Sequence, residues 1–106
     1  MRAAILREKQ KAGGMIVSFK NKALKELFET GKTKKMDQKL HRKARLILDA
    51  LDRAAEPGAM AIPGFDFHPL KGHNPTRYSC HVNGPWCVAF EFAGKNAAKV
   101  DYEQYH

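Results

Sequence analysis

Between Tyr78 and Tyr102 the chain sets short alternating runs between turn residues, a pattern that admits little other than an antiparallel β-meander. Tyr78 to Val82 reads as one strand. Asn83-Gly84 follows, a pair that favours a tight hairpin because both central positions of that turn need a positive φ. Trp86 to Phe92 returns, with Trp86, Val88, Phe90 and Phe92 alternating with Cys87, Ala89 and Glu91. Ala93-Gly94-Lys95-Asn96 is a second turn, and Ala97 to Tyr102 is the last strand. A meander of this kind has one apolar face, and something else in the chain must cover it.

The cover comes from upstream. Met15-Ile16-Val17-Ser18-Phe19 has the pattern of a strand. Asn21 is a suitable N-cap for a short helix with Leu24, Leu27 and Phe28 on one face, and Gly31 is its stop. After the basic loop Lys32-Thr33-Lys34-Lys35, Asp37 caps a longer helix running to about Ala55. Leu40, Ala44, Ile47, Leu48 and Leu51 recur on it at helical spacing. Pro57-Gly58 ends it, and Pro63-Gly64 keeps the next stretch irregular. The expected fold is α+β: an N-terminal strand and two helices packed on an antiparallel sheet. Residues 1–14, with Arg2, Arg7, Lys9 and Lys11, read as an N-terminal extension, either a mobile arm or the product of an upstream start codon. Residues 15–106 read as a single domain.

The chain's 106 residues allow one modest core. No apolar run approaches the roughly 20 residues of a membrane span, and the N-terminal stretch is too quickly charged for a secretory signal. The expectation is a cytoplasmic protein. Cys80 and Cys87, in strand-like segments, read as reduced thiols rather than a disulfide framework. With no C-x-x-C and no helically spaced His pair, no metal or other cofactor is expected. Charge is uneven. Residues 20–45 hold ten Lys/Arg against Glu26, Glu29 and Asp37, whereas residues 46–106 are slightly acidic. Such a basic half is the footprint of a polyanion partner. Lys34, Lys35, Lys39, Arg42 and Lys43 are its candidate contacts to that polyanion.

The chemistry gathers in two places, His68-Pro69-Leu70-Lys71-Gly72 and the final Tyr105-His106. Two imidazoles, an ammonium and a phenol suit proton transfer on a phosphate substrate without a metal. His68 precedes proline and is therefore extended. The face of the sheet turned away from the helices is expected to be at least partly open, and His68, Lys71, Tyr105 and His106 could meet there.

These segments, with Ile16-Val17-Ser18-Phe19, Leu27-Phe28-Glu29-Thr30-Gly31-Lys32 and Val82-Asn83-Gly84-Pro85-Trp86, resemble the HigB-type toxins of the RelE/ParE superfamily of bacterial toxin–antitoxin systems. The resemblance covers residues 15–106. It implies a RelE-like fold and a ribosome-dependent endoribonuclease that cuts messenger RNA. The implied partners are a helix-turn-helix antitoxin of the HigA type, the ribosome with its mRNA, and operator DNA only through the antitoxin complex. It places the active site on His68, Lys71, Tyr105 and His106. The chain departs from the family twice. Cys87 stands where an arginine usually holds the scissile phosphate, and Gln104 stands where an acidic residue usually precedes Tyr-His. The first departure predicts weakened catalysis unless Arg77 or Lys99 compensates. The alternative reading is therefore a weakened or non-enzymatic, ParE-like toxin directed at a protein target such as DNA gyrase. A plain RNA-binding module fits the charge but leaves the Tyr-His end unexplained.

Overall fold

Asn21 and Gly31 bound the first helix as local chemistry requires. In the computed structural model, which describes residues 14–104, α1 is Lys22–Thr30. The Asn21 side chain accepts from the Leu24 N–H at 2.9 Å. Gly31, at φ 89°, returns its N–H to the Leu27 carbonyl, a left-handed cap that glycine adopts without a Cβ penalty. Asp37 begins the second helical stretch by accepting from the Lys39 N–H. That stretch opens as a 3₁₀ turn, Gln38–Leu40, before α2, His41–Arg53.

Four strands follow: β1 (His68–Leu70), β2 (Arg77–Asn83), β3 (Trp86–Ala93) and β4 (Asn96–Gln104). They form one antiparallel sheet in the order β1-β2-β3-β4. The meander expected from Tyr78 onward is present. β1 is an addition at its edge, where Pro69, lacking an N–H, is tolerated. The N-terminal strand expected over residues 15–19 is reduced to isolated parallel bridges, Ile16 with Ala97 and Phe19 with Val100. Between those bridges Lys99 turns to φ 50°, and this kink in β4 prevents a continuous ladder.

The helices cover one sheet face. Leu24, Leu27, Ile47, Leu48 and Leu51 pack there with Cys80, Val82, Val88, Phe90 and Val100. Buried Asp52 of α2 ties in the N-terminal segment by accepting from the Ile16 N–H at 2.9 Å. Gly14 is packed so closely that an added Cβ would clash with the Lys95 carbonyl oxygen. The rest of the expected N-terminal extension lies outside the described residues. No helix among the described residues is long and apolar enough to cross a membrane.

Candidate active site

The second sheet face carries His68 and Cys87. Directly opposed residues share a face, so the pairings of His68 with Ser79, Ser79 with Ala89, and His81 with Cys87 and Cys87 with Glu103 set them in adjacent rows. Arg77 and Glu91 are opposed in the row on the other side.

His68 is held at both ring nitrogens. Nδ1 lies 3.0 Å from the Asp66 carbonyl oxygen. A carbonyl only accepts, so Nδ1 carries the proton. In the neutral ring Nε2 is then the acceptor, and it lies 3.3 Å from the Ser79 hydroxyl. Asp66 adopts φ 48°, a conformation uncommon outside glycine and tolerated best by Asn and Asp. Lys71 follows β1 at an exposed turn, where Gly72 has φ 84°. His68 and Lys71 thus lie on and just beyond one edge strand. Tyr105 and His106 lie outside the described residues.

Cys87 is a thiol only 3% exposed. Ser79 and Ala89 beside it are also buried, whereas His68, His81, Glu91 and Glu103 on the same face are half-exposed, so this face is closed at its centre and open in part around it. Part of the cover is Arg77. Its Nη1 donates to Glu91 Oε1 at 3.2 Å and its Nη2 to the Lys99 carbonyl at 3.0 Å, crossing β3 to reach β4. Glu103 Oε2 lies 3.7 Å from the same Nη2.

The basic residues divide. Lys34, Lys35, Lys39 and Arg42 are exposed. Lys43 instead donates to the Gly64 carbonyl at 2.8 Å and sits over the Phe65 ring. Lys32, Lys34 and Lys35 rim a cavity of about 900 Å³ with Met36 and His41 in its lining. Threonines brace that loop. Thr33 Oγ1 donates to Glu26 at 2.6 Å and accepts from the Lys35 N–H. His41 donates from Nε2 to the Met36 carbonyl at 3.1 Å. Among the described residues no group of three or more His, Cys, Asp or Glu could hold a metal ion.

Sequence reasoning missed Ser79 and Asp66 as the partners of His68. Asp66 lies two residues before it, a spacing that local reading could have flagged. Ser79 becomes visible only with the pairing of β1.

A family model described as the RelE-like toxin of the type II toxin–antitoxin system HigB matches residues 17–106. The chain belongs to the HigB-like toxins. It is also 37% identical over 92 residues to a protein of Proteus vulgaris named endoribonuclease HigB, covering 87% of this chain and all of that one. The two helices on a four-stranded antiparallel sheet are the α+β fold of RelE-like toxins. As a type II toxin, the chain has an antitoxin as its partner.

Proposed function

We propose that this HigB-like toxin is a ribosome-dependent endoribonuclease that cuts messenger RNA by metal-free acid–base chemistry. The observation that carries the reading is His68, fixed at both nitrogens on the sheet face that also holds position 87. The endoribonuclease name of the Proteus vulgaris relative supports it.

In such a cleavage the 2′-hydroxyl oxygen attacks the adjacent phosphorus, and the bond from phosphorus to the 5′ oxygen breaks. A base takes the 2′ proton, and an acid returns one to the departing oxygen. The products are a 2′,3′-cyclic phosphate and a 5′-hydroxyl. His68 and His106 are the proton-transfer groups near neutral pH. Lys71 supplies positive charge to the crowded phosphorane. Tyr105 stacks on a base or orients the phosphate. Lys34, Lys35, Lys39 and Arg42 contact ribosomal RNA backbone, with Lys43 behind them. Between rounds of action the toxin is held by a helix-turn-helix antitoxin of the HigA type, through which it reaches operator DNA.

The test is primer-extension mapping of messages after brief induction. Cuts should fall within translated regions. They should drop by about 10²-fold or more in His68→Ala and in a chain ending at Gln104, the usual size of a lost acid–base group. One observation favours a second reading. Cys87 is a buried thiol that offers no guanidinium to a phosphate, as fits a ParE-like inhibitor of a protein target. Intact messages together with inhibited gyrase would establish that reading instead.

A further inference from the structure

We propose that Arg77 is a positioning residue, one that sets where the end of β4 lies relative to His68. This rests on the ribonuclease reading, in which Tyr105 and His106 act just beyond that end.

The argument starts from what the guanidinium touches. From β2 it reaches Glu91 on β3 at 3.2 Å, the Lys99 carbonyl on β4 at 3.0 Å, and the vicinity of Glu103 near the end of β4 at 3.7 Å. A planar fork of five donors can serve acceptors on two strands at once, which a single ammonium cannot do in the same geometry. The Lys99 peptide is gripped from a second side as well, because its N–H donates to Ser18 Oγ at 2.8 Å. Lys99 is also the kink of β4, at φ 50°, where the pairing of β3 with β4 shifts register between Ala89 and Glu91. Arg77 therefore braces β4 at the point where its direction is set and again near its end.

The same contacts argue against Arg77 as a replacement for the guanidinium missing at position 87. One positive charge faces the carboxylates of Glu91 and Glu103, so the cluster is net negative and repels a phosphate. Arg77 is also only 8% exposed. Its effect passes through Glu103, which pairs with Cys87 across the sheet and lies two residues before Tyr105. A misplacement of about 1 Å at a reacting group can cost as much as 10²-fold in rate, so the brace bears on catalysis without touching substrate.

The experiment compares Glu103→Gln, Arg77→Lys and Arg77→Met in the full chain. Glu103 is 38% exposed at its side chain, so Glu103→Gln keeps the fold even if Arg77→Met does not. Two readouts are taken: amide hydrogen exchange of the free protein, and single-turnover cleavage set against affinity on mRNA-programmed ribosomes. In Glu103→Gln, exchange at residues 102–104 should quicken about tenfold while Val88 and Phe90 keep their protection, the signature of a local opening. Cleavage should fall about tenfold with ribosome affinity unchanged, within the range that a misplaced group costs. Arg77→Lys should not restore either quantity. In a chain ending at Gln104, Glu103→Gln should cost nothing further in residual cleavage. Unchanged exchange at residues 102–104 would overturn the proposal. So would an equal rise across all strands, or the same loss of cleavage with and without the last two residues. If the unaltered chain cuts no message on ribosomes, the ribonuclease reading falls, and the exchange arm still judges the brace.

Discussion

Position 87 is where one residue decides most. The thiol of Cys87 is nearly fully buried, and Glu103 lies opposite it on β4. A thiol offers a weak donor and no fixed charge, whereas a guanidinium grips a phosphate through two parallel hydrogen bonds. An arginine introduced here would find the Glu103 carboxylate across the sheet as a partner, which offsets much of the cost of burying its charge. We expect Cys87→Arg to raise cleavage at least about tenfold, equivalent to about 1.4 kcal/mol of transition-state stabilisation. The check is single-turnover cleavage on programmed ribosomes beside a circular dichroism spectrum. A folded arginine variant that cuts no faster than the cysteine form would show that the phosphate is held elsewhere.

At the scale of elements, the basic loop and the start of α2 can be tested apart from the sheet. Lys34, Lys35 and Lys39 are exposed, whereas the Lys43 ammonium is spent on the Gly64 carbonyl. Reversing the first three to glutamate should abolish ribosome co-sedimentation with the far-UV spectrum unchanged. In the unaltered protein binding should weaken steeply with salt, by about 0.7 to 0.9 in log–log slope for each phosphate contact. Intact co-sedimentation of the triple variant would leave this surface to the antitoxin or to solvent. The elements themselves differed in how far they could be read from sequence. Both helices and the last three strands were legible because Asn21, Gly31 and Asp37 mark helix ends by local chemistry and Gly84, at φ 57°, turns the hairpin between β2 and β3, although the loop is Gly84-Pro85 and Asn83 stays in β2. β1 was not, because three residues containing a proline show no alternation, and their strand character depends on pairing with Arg77–Ser79. The ion pair of Arg77 with Glu91 was hidden for another reason. Counting back from the Asn83–Trp86 pair sets Arg77 opposite Phe92, but a register shift between His81 and Asn83 moves its partner to Glu91. The candidate site was legible in its residue types and not in its supports, since Ser79 and Glu103 enter only through register.

For the molecule as a whole, two buried acids tie stability to alkaline pH. Burial pushes the Cys80 thiol from 9.0 up to about 12, with nearby Cys87 adding to the rise. Burial likewise raises Tyr102 from 10.0 to about 12, with Asp37 and Cys87 contributing. The Tyr102 ring stacks on Trp86 at 4.5 Å, and its hydroxyl is buried with no hydrogen-bond partner among the described residues. Both groups keep their protons in the folded state at a pH where the unfolded chain gives them up. Their contribution is therefore fully present below pH 9.0, where neither state has ionised, and is lost as pH rises from there through about 12. Unfolding titrations between pH 7 and 11 should show stability falling above pH 9. Cys80→Ala should lower stability at pH 7, since it leaves a cavity in a tightly packed core, while flattening the decline. Adding Tyr102→Phe should flatten it further, with little cost at neutral pH because the hydroxyl it removes is unsatisfied. If the double variant declines as steeply as the parent, the alkaline sensitivity belongs to other groups, and the core around β2 and β4 is wetter than its packing indicates.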